Sequence, residues 1–167
     1  MIIYIYVNKF YYIVNFKSKL LHLFVQNGYT NIIIKLSEQE DIIDDNGKTA
    51  LHYASEYNNL DIVKALKEKL KKIKDKKGKT ALHYAAENGN LDIVKELKDE
   101  LYIQDENGKT ALHYAAEKGH LNVVQALKEE LILIKDNNEK TPLDYATEKK
   151  YLDIINVLQE LNLTDKK

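Results

Sequence analysis

The chain has 167 residues, 44% hydrophobic and 31% charged, enough for one domain with a continuous core. A net charge of −1 argues against a protein that coats nucleic acid, and all 25 basic residues are lysine, so the bidentate guanidinium fork suited to phosphate or guanine is missing. There is no cysteine, which excludes disulfides, thiol chemistry and Cys-type zinc sites.

Residues 1–16 read M-I-I-Y-I-Y-V-N-K-F-Y-Y-I-V-N-F, thirteen of them apolar or aromatic. Asn8 and Lys9 interrupt the run well short of the roughly 20 residues a spanning helix needs. A charged start and a small-residue cleavage site are both missing, so a signal peptide fits badly. The preferred reading is the second helix and tail of a truncated upstream repeat. Ile2 and Ile5 then stand before Lys19 where Val63 and Leu66 stand before Thr80. The alternative is a hydrophobic anchor, inserted into lipid or a hydrophobic partner, with the array behind it as a membrane-tethered or structural spacer.

From 17 to 163 the chain repeats itself. The block at 107–124, N-G-K-T-A-L-H-Y-A-A-E-K-G-H-L-N-V-V, recurs almost letter for letter at 77–94 and more loosely at 46–63 and 138–155. Its core starts at Thr49, Thr80, Thr110 and Thr141, a period of 31, 30 and 31 residues, with a fainter copy from Lys19. Copies at near-constant spacing predict a stacked array, because one unit of about 30 residues cannot bury a core alone. The units run over about 17–43, 44–74, 75–104, 105–135 and 136–163, followed by a polar tail at 164–167.

Within a unit the order is turn, short helix, turn, longer helix. Asp75-Lys76-Lys77-Gly78 is a turn in which Asp bonds back to the chain and Gly supplies a positive φ; Gly108 stands in the same place. Thr80 precedes an Ala-rich apolar run and reads as a helix N-cap, its hydroxyl taking a free amide of the first turn; Thr49 and Thr110 match it, and Pro142 follows Thr141 at the first helical position. Leu82, Ala85 and Ala86 form the buried face, and Gly89, like Gly119, ends the helix in a left-handed turn. Leu91, Ile93, Val94 and Leu97 then line one side of a second helix, opposite Asp92, Lys95, Glu96 and Lys98.

This arrangement, with T-A-L-H-Y-A-A-E-N-G-N-L-D-I-V-K at 80–95, resembles the ankyrin repeat over Lys19 to about Leu163. The resemblance implies an all-α helix-turn-helix solenoid with short turn tips between repeats. It also implies that His52, His83 and His113 bond the neighbouring turn backbone and tie units together. The chain departs from the family pattern, whose unit has about 33 residues. The Gly-Ala-Asp usual after the second helix is replaced at 67–70 and 98–101, which predicts a tighter link or a reshaped end to that helix. Asn58 and Lys150 stand for the helix-ending Gly, Glu139 for the turn Gly and Asp144 for His, so the last copy reads as a cap.

A metal role for the histidines fails on distance, since stacked equivalents lie roughly 8–10 Å apart and zinc ligands about 2 Å from one ion. His120 reads as an exposed turn residue, and Tyr53, Tyr84, Tyr114 and Tyr145 as a packing ladder. G-K-T lacks the spaced glycines of a phosphate loop, and no catalytic grouping or cofactor motif is defensible.

By resemblance the variable tips and the first-helix edges form a concave partner-binding surface. The tips supply Asp45, Asn46, Lys76, Lys77, Glu106 and Asn107, and the edges Glu56, Tyr57, Glu87, Asn88, Glu117 and Lys118. A lysine row, Lys48, Lys79 and Lys109, runs between them, and Tyr57 is the one aromatic among these positions. A basic run at 64–79 followed by an acidic run at 92–106 could steer an acidic partner. The expectation is a non-enzymatic, monomeric protein-interaction module whose central repeats, 75–119, contribute most. Without disulfides or a clear signal peptide, a cytoplasmic setting is expected, with export into a host cell by a route lacking a cleaved signal as the alternative.

Overall fold

The computed structural model describes residues 21–39 and 43–164. Both readings of residues 1–16 therefore concern residues outside those described. The described chain is helical: α1 at 21–26, α2 (Thr30–Gln39), α3 (Ala50–Glu56), α4 (Leu60–Leu70), α5 (Ala81–Glu87), α6 (Leu91–Glu96), α7 (Ala111–Lys118), α8 (Leu121–Leu131), α9 (Pro142–Lys149) and α10 (Leu152–Thr164). First helices pack on first helices (α3 on α5, α5 on α7, α7 on α9), and second helices pack on second helices, from α2 to α10. The two rows enclose one core that runs the length of the stack.

The unit's helices start where the sequence places them. Thr49, Thr80, Thr110 and Thr141 are N-caps with extended backbone, and Pro142 occupies the first turn of α9. The capping box is closed by an unexpected partner: the N3 residue is His52, His83 or His113, whose ring accepts the Thr N–H. At Thr141, where N3 is Asp144, the hydroxyl accepts the Asp144 amide at 3.3 Å. At the other three the hydroxyl lies 2.9–3.0 Å from the imidazole Nδ1.

Alanines keep the first helices close. Ala54, Ala85, Ala115 and Ala146 are fully buried at equivalent places, as are Leu51, Leu82 and Leu112. Ile62, Val63, Ile93, Val94, Val123 and Val124 pack from the second row. Each fully buried aliphatic side chain contributes roughly 1.5–3 kcal/mol. The second-helix end is reshaped, as the missing Gly-Ala-Asp predicts. In the unit 75–104 the helix α6 stops at Glu96 and continues as a 3-10 turn over Lys98–Glu100, whereas α4 runs on to Leu70 and leaves Lys72 at φ +64°.

Candidate interaction surface

The tips are built by aspartate. Asp75 Oδ1 accepts the amides of Lys77 (2.8 Å) and Lys79 (2.9 Å), and its Oδ2 accepts the Tyr84 hydroxyl at 2.6 Å. Asp44, Asp105 and Asp136 do the same with Tyr53, Tyr114 and Tyr145. Burial works to raise the Asp44 carboxyl, but the Tyr53 hydroxyl and the amides of Lys48 and Asn46 outweigh it and hold it below the usual value. Burial and the aspartate both push the Tyr84 and Tyr114 hydroxyls upward, so they remain donors.

Adjacent tips are tied by backbone: Lys76 N–H to Asn46 C=O, Glu106 N–H to Lys77 C=O, and Asn137 N–H to Asn107 C=O, at 2.9, 3.0 and 2.9 Å. This close approach explains the turn glycines. A Cβ on Gly78 would lie 2.7 Å from the Glu106 amide nitrogen, and one on Gly108 2.8 Å from that of Asn137. Glu139, at φ +61°, holds the same position in the last unit.

The histidines tie units as the resemblance implies. Because Nδ1 accepts the Thr N–H, the proton sits on Nε2, which donates to the next unit. His52, His83 and His113 reach the carbonyls of Lys79, Lys109 and Lys140 at 3.1, 3.1 and 3.2 Å. Burial lowers the affinity of all three for a second proton, and brings His83 down to about 4. Asp144 replaces histidine in the fifth unit and, among the described residues, bonds Thr141 alone, so it offers no such donor outward.

A second set of ties was not foreseen. Asn59, Asn90 and His120, each just after the left-handed turn, bond the carbonyls of Val25, Ser55 and Glu87 in the preceding unit. His120 is therefore half-buried and not the exposed turn residue expected, because its ring fills the space over Gly89. Glu100 was also missed: 1% exposed, it accepts the amides of Lys72 and Leu82 at 2.9 Å each.

The predicted surface residues divide into two groups. Lys48, Lys79 and Lys109 bond Glu56, Glu87 and Glu117 at 2.7–2.8 Å, joining each tip to its first-helix edge. The same ammonium groups sit 4.1, 3.9 and 4.1 Å over the rings of Tyr84, Tyr114 and Tyr145 in the next unit. Lys79 is only 8% exposed. These six side chains serve a lysine–tyrosine–glutamate ladder within the array. The other group, Asp45, Asn46, Lys76, Lys77, Glu106, Asn107, Tyr57, Asn88 and Lys118, is exposed. Tyr57 stacks on Tyr53 with ring centroids 6.2 Å apart.

The two charge runs meet at a repeat boundary. One unit of offset sets them face to face: Lys67 bonds Glu96 at 2.7 Å, and Lys71 lies 3.3 Å from Asp99. Glu100 and Asp105 are buried. Two lysines of the basic run thus pair with acids of the acidic run across a repeat boundary.

With this geometry in place, comparison with known proteins gives the class. The family model for Ankyrin repeats (3 copies) matches at residues 6–76, 21–103, 69–132 and 98–166, and the chain belongs to the ankyrin repeat family. Such arrays are generally protein–protein interaction modules, typically without enzymatic activity. A search of curated proteins finds no match. Among the described residues no helix is long and apolar enough to cross a membrane, and no group of acidic or histidine side chains is placed to hold a metal.

Proposed function

We propose that this chain is a non-enzymatic interaction module that takes a partner protein on the face built from the tips and first-helix edges, with residues 75–119 at its centre. One contrast carries the reading. The framework Asp–Tyr bond is the same in four units, whereas the first exposed tip residue changes in every one, from Asp45 to Lys76, Glu106 and Asn137, and the second is Lys77 in one unit and Asn46, Asn107 and Asn138 in the others. Constant buried bonds hold the backbone still, and variation is left where a partner would touch. An intracellular setting and a monomeric state belong to the same proposal.

Photo-crosslinking tests the face. A benzoylphenylalanine at Asn46, Asn88 or Asn107 is expected to capture a common protein from the native cell, and one at Lys64 or Asp92, on the second helices, is not. Capture from the second-helix positions alone would overturn the reading.

A further inference from the structure

The tip row carries an order of charge that the ladder beneath it does not. From unit to unit the exposed tip residues read Asp45, then Lys76 and Lys77, then Glu106, then the neutral pair Asn137 and Asn138. Between the first two tips lies a notch of about 360 Å³, bounded by Asn46, Lys76 and Lys77 at the rim and by Lys79 and Tyr84 at the floor.

The acids at this notch are already committed. Asp75 is 7% exposed and accepts three hydrogen bonds, from the Lys77 and Lys79 amides and the Tyr84 hydroxyl. Glu87 is bonded to Lys79 at 2.7 Å and lies 3.9 Å from Lys118. Lys48 is held over the Tyr84 ring. What remains are the ammonium groups of Lys76 and Lys77, both exposed and neither in an ion pair among the described residues. Their amides are fixed by Asn46 and Asp75, so the backbone presenting them is set before any partner arrives.

Resting on the reading above, the geometry points to this notch as the seat of a single carboxylate side chain from an extended segment of the partner, flanked on both sides by basic residues. The flanks follow from Asp45 and Glu106, one unit away on either side. Unit spacing of roughly 10 Å equals about three residues of extended chain. The fitting pattern is basic-x-x-acidic-x-x-basic. A continuous polyanion is a poor fit, because it would lay negative charge against Asp45 and Glu106.

The test uses the full ¹⁵N-labelled chain at low salt and three peptides with blocked ends: Lys-Gly-Gly-Glu-Gly-Gly-Lys, its charge-reversed counterpart Glu-Gly-Gly-Lys-Gly-Gly-Glu, and hexaglutamate. The first is expected to shift amides at Asn46, Lys76, Lys77 and Glu106 and to bind at least about fivefold more tightly than either other peptide. The double variant Lys76→Gln/Lys77→Gln is expected to lose that preference, and added salt to weaken it. Equal or tighter binding of hexaglutamate or of the reversed peptide, no binding at all, or shifts spread over Lys64, Lys72 and Lys95, would overturn the proposal. Crosslinking at Asn107 would still report on the face as a whole, so the two readings fail separately.

Discussion

Nε2 of His83 lies 3.1 Å from the carbonyl oxygen of Lys109, and this bond crosses from one unit into the next. The same ring accepts the Thr80 N–H at 3.0 Å, so one side chain closes a helix start and clasps the neighbouring tip. His83→Ala leaves a buried donor and a buried acceptor unpaired and opens a cavity, for an expected loss of about 3 kcal/mol. His120→Ala, which removes one half-buried bond, is expected to cost about 1 kcal/mol. Urea denaturation at pH 7 measures both; equal losses would contradict the assignment.

The histidines also set a pH dependence. Burial lowers His83 from its ordinary 6.5 to about 4, so between those values the unfolded chain binds a proton that the folded chain refuses. Stability is therefore full above pH 6.5 and falls as the pH drops toward 4, by on the order of 3 kcal/mol from His83 alone. His52 and His113 shift in the same direction and add to the loss. Asp44 and Asp136 are held below 3.8 and titrate beneath this window. Melting temperature is expected to be level from pH 8 to 7 and to fall between 6.5 and 4.5, with a shallower fall in His83→Gln. A flat profile would contradict a buried neutral ring.

Ser55 marks a place where the stack can be improved. Its side chain is fully buried, and its hydroxyl is the one buried side-chain atom without a partner among the described residues. Ala86 and Ala116 occupy the equivalent position. Ser55→Ala is expected to stabilise the protein by about 1 kcal/mol, read as a higher urea midpoint at unchanged slope.

Glu100 carries the reverse expectation. Two amides, from Lys72 in one unit and Leu82 at the start of α5, depend on its carboxylate. Glu100→Ala strands both, for a loss of about 3 kcal/mol, while Glu100→Gln keeps one acceptor and loses less. Hydrogen exchange at Leu82 and Lys72 should quicken first. Unchanged protection there would show that the carboxylate is not their partner.

Gly78 and Glu139 occupy the same turn position, yet substitutions there should have opposite signs. Gly78→Ala incurs left-handed strain of about 1 kcal/mol and thrusts a Cβ toward the Glu106 amide, prising two tips apart. Glu139→Gly relieves a left-handed φ of +61° and should stabilise by about 1 kcal/mol. The ion pair that it removes, Lys135–Glu139, is largely exposed and worth little. Thermal melts of the two variants, moving in opposite directions, are the expected result.

The framework was legible because a period of 30 or 31 residues announces a stack, and Thr, Pro and Gly mark where helices begin and end. Within-unit patterns reached the core face and the left-handed Asn58, Glu139 and Lys150, and the resemblance to the ankyrin repeat reached the histidine ties. What escaped depends on neighbours. Asn59, Asn90 and His120 perform one task with two chemistries, so comparing letters hides it. Lys67 and Glu96 look like members of separate charge runs until the unit offset sets them 2.7 Å apart. Glu100 lies in the 3-10 turn after α6, and the two amides it accepts belong to two different units, so no pattern of letters within one unit shows its partners. At the surface, the sequence could not tell Lys79, drawn into the Tyr114 ring and Glu87, from Lys77, which stands free of both.

Each unit owes its order to the next. Hydrogen exchange on the full chain, comparing wild type with His83→Ala at pH 7, tests it most directly. Protection is expected to fall together in α5 and, across the boundary, in the tip at 105–109 and in α7. Loss confined to α5, with that tip and α7 as protected as before, would contradict it.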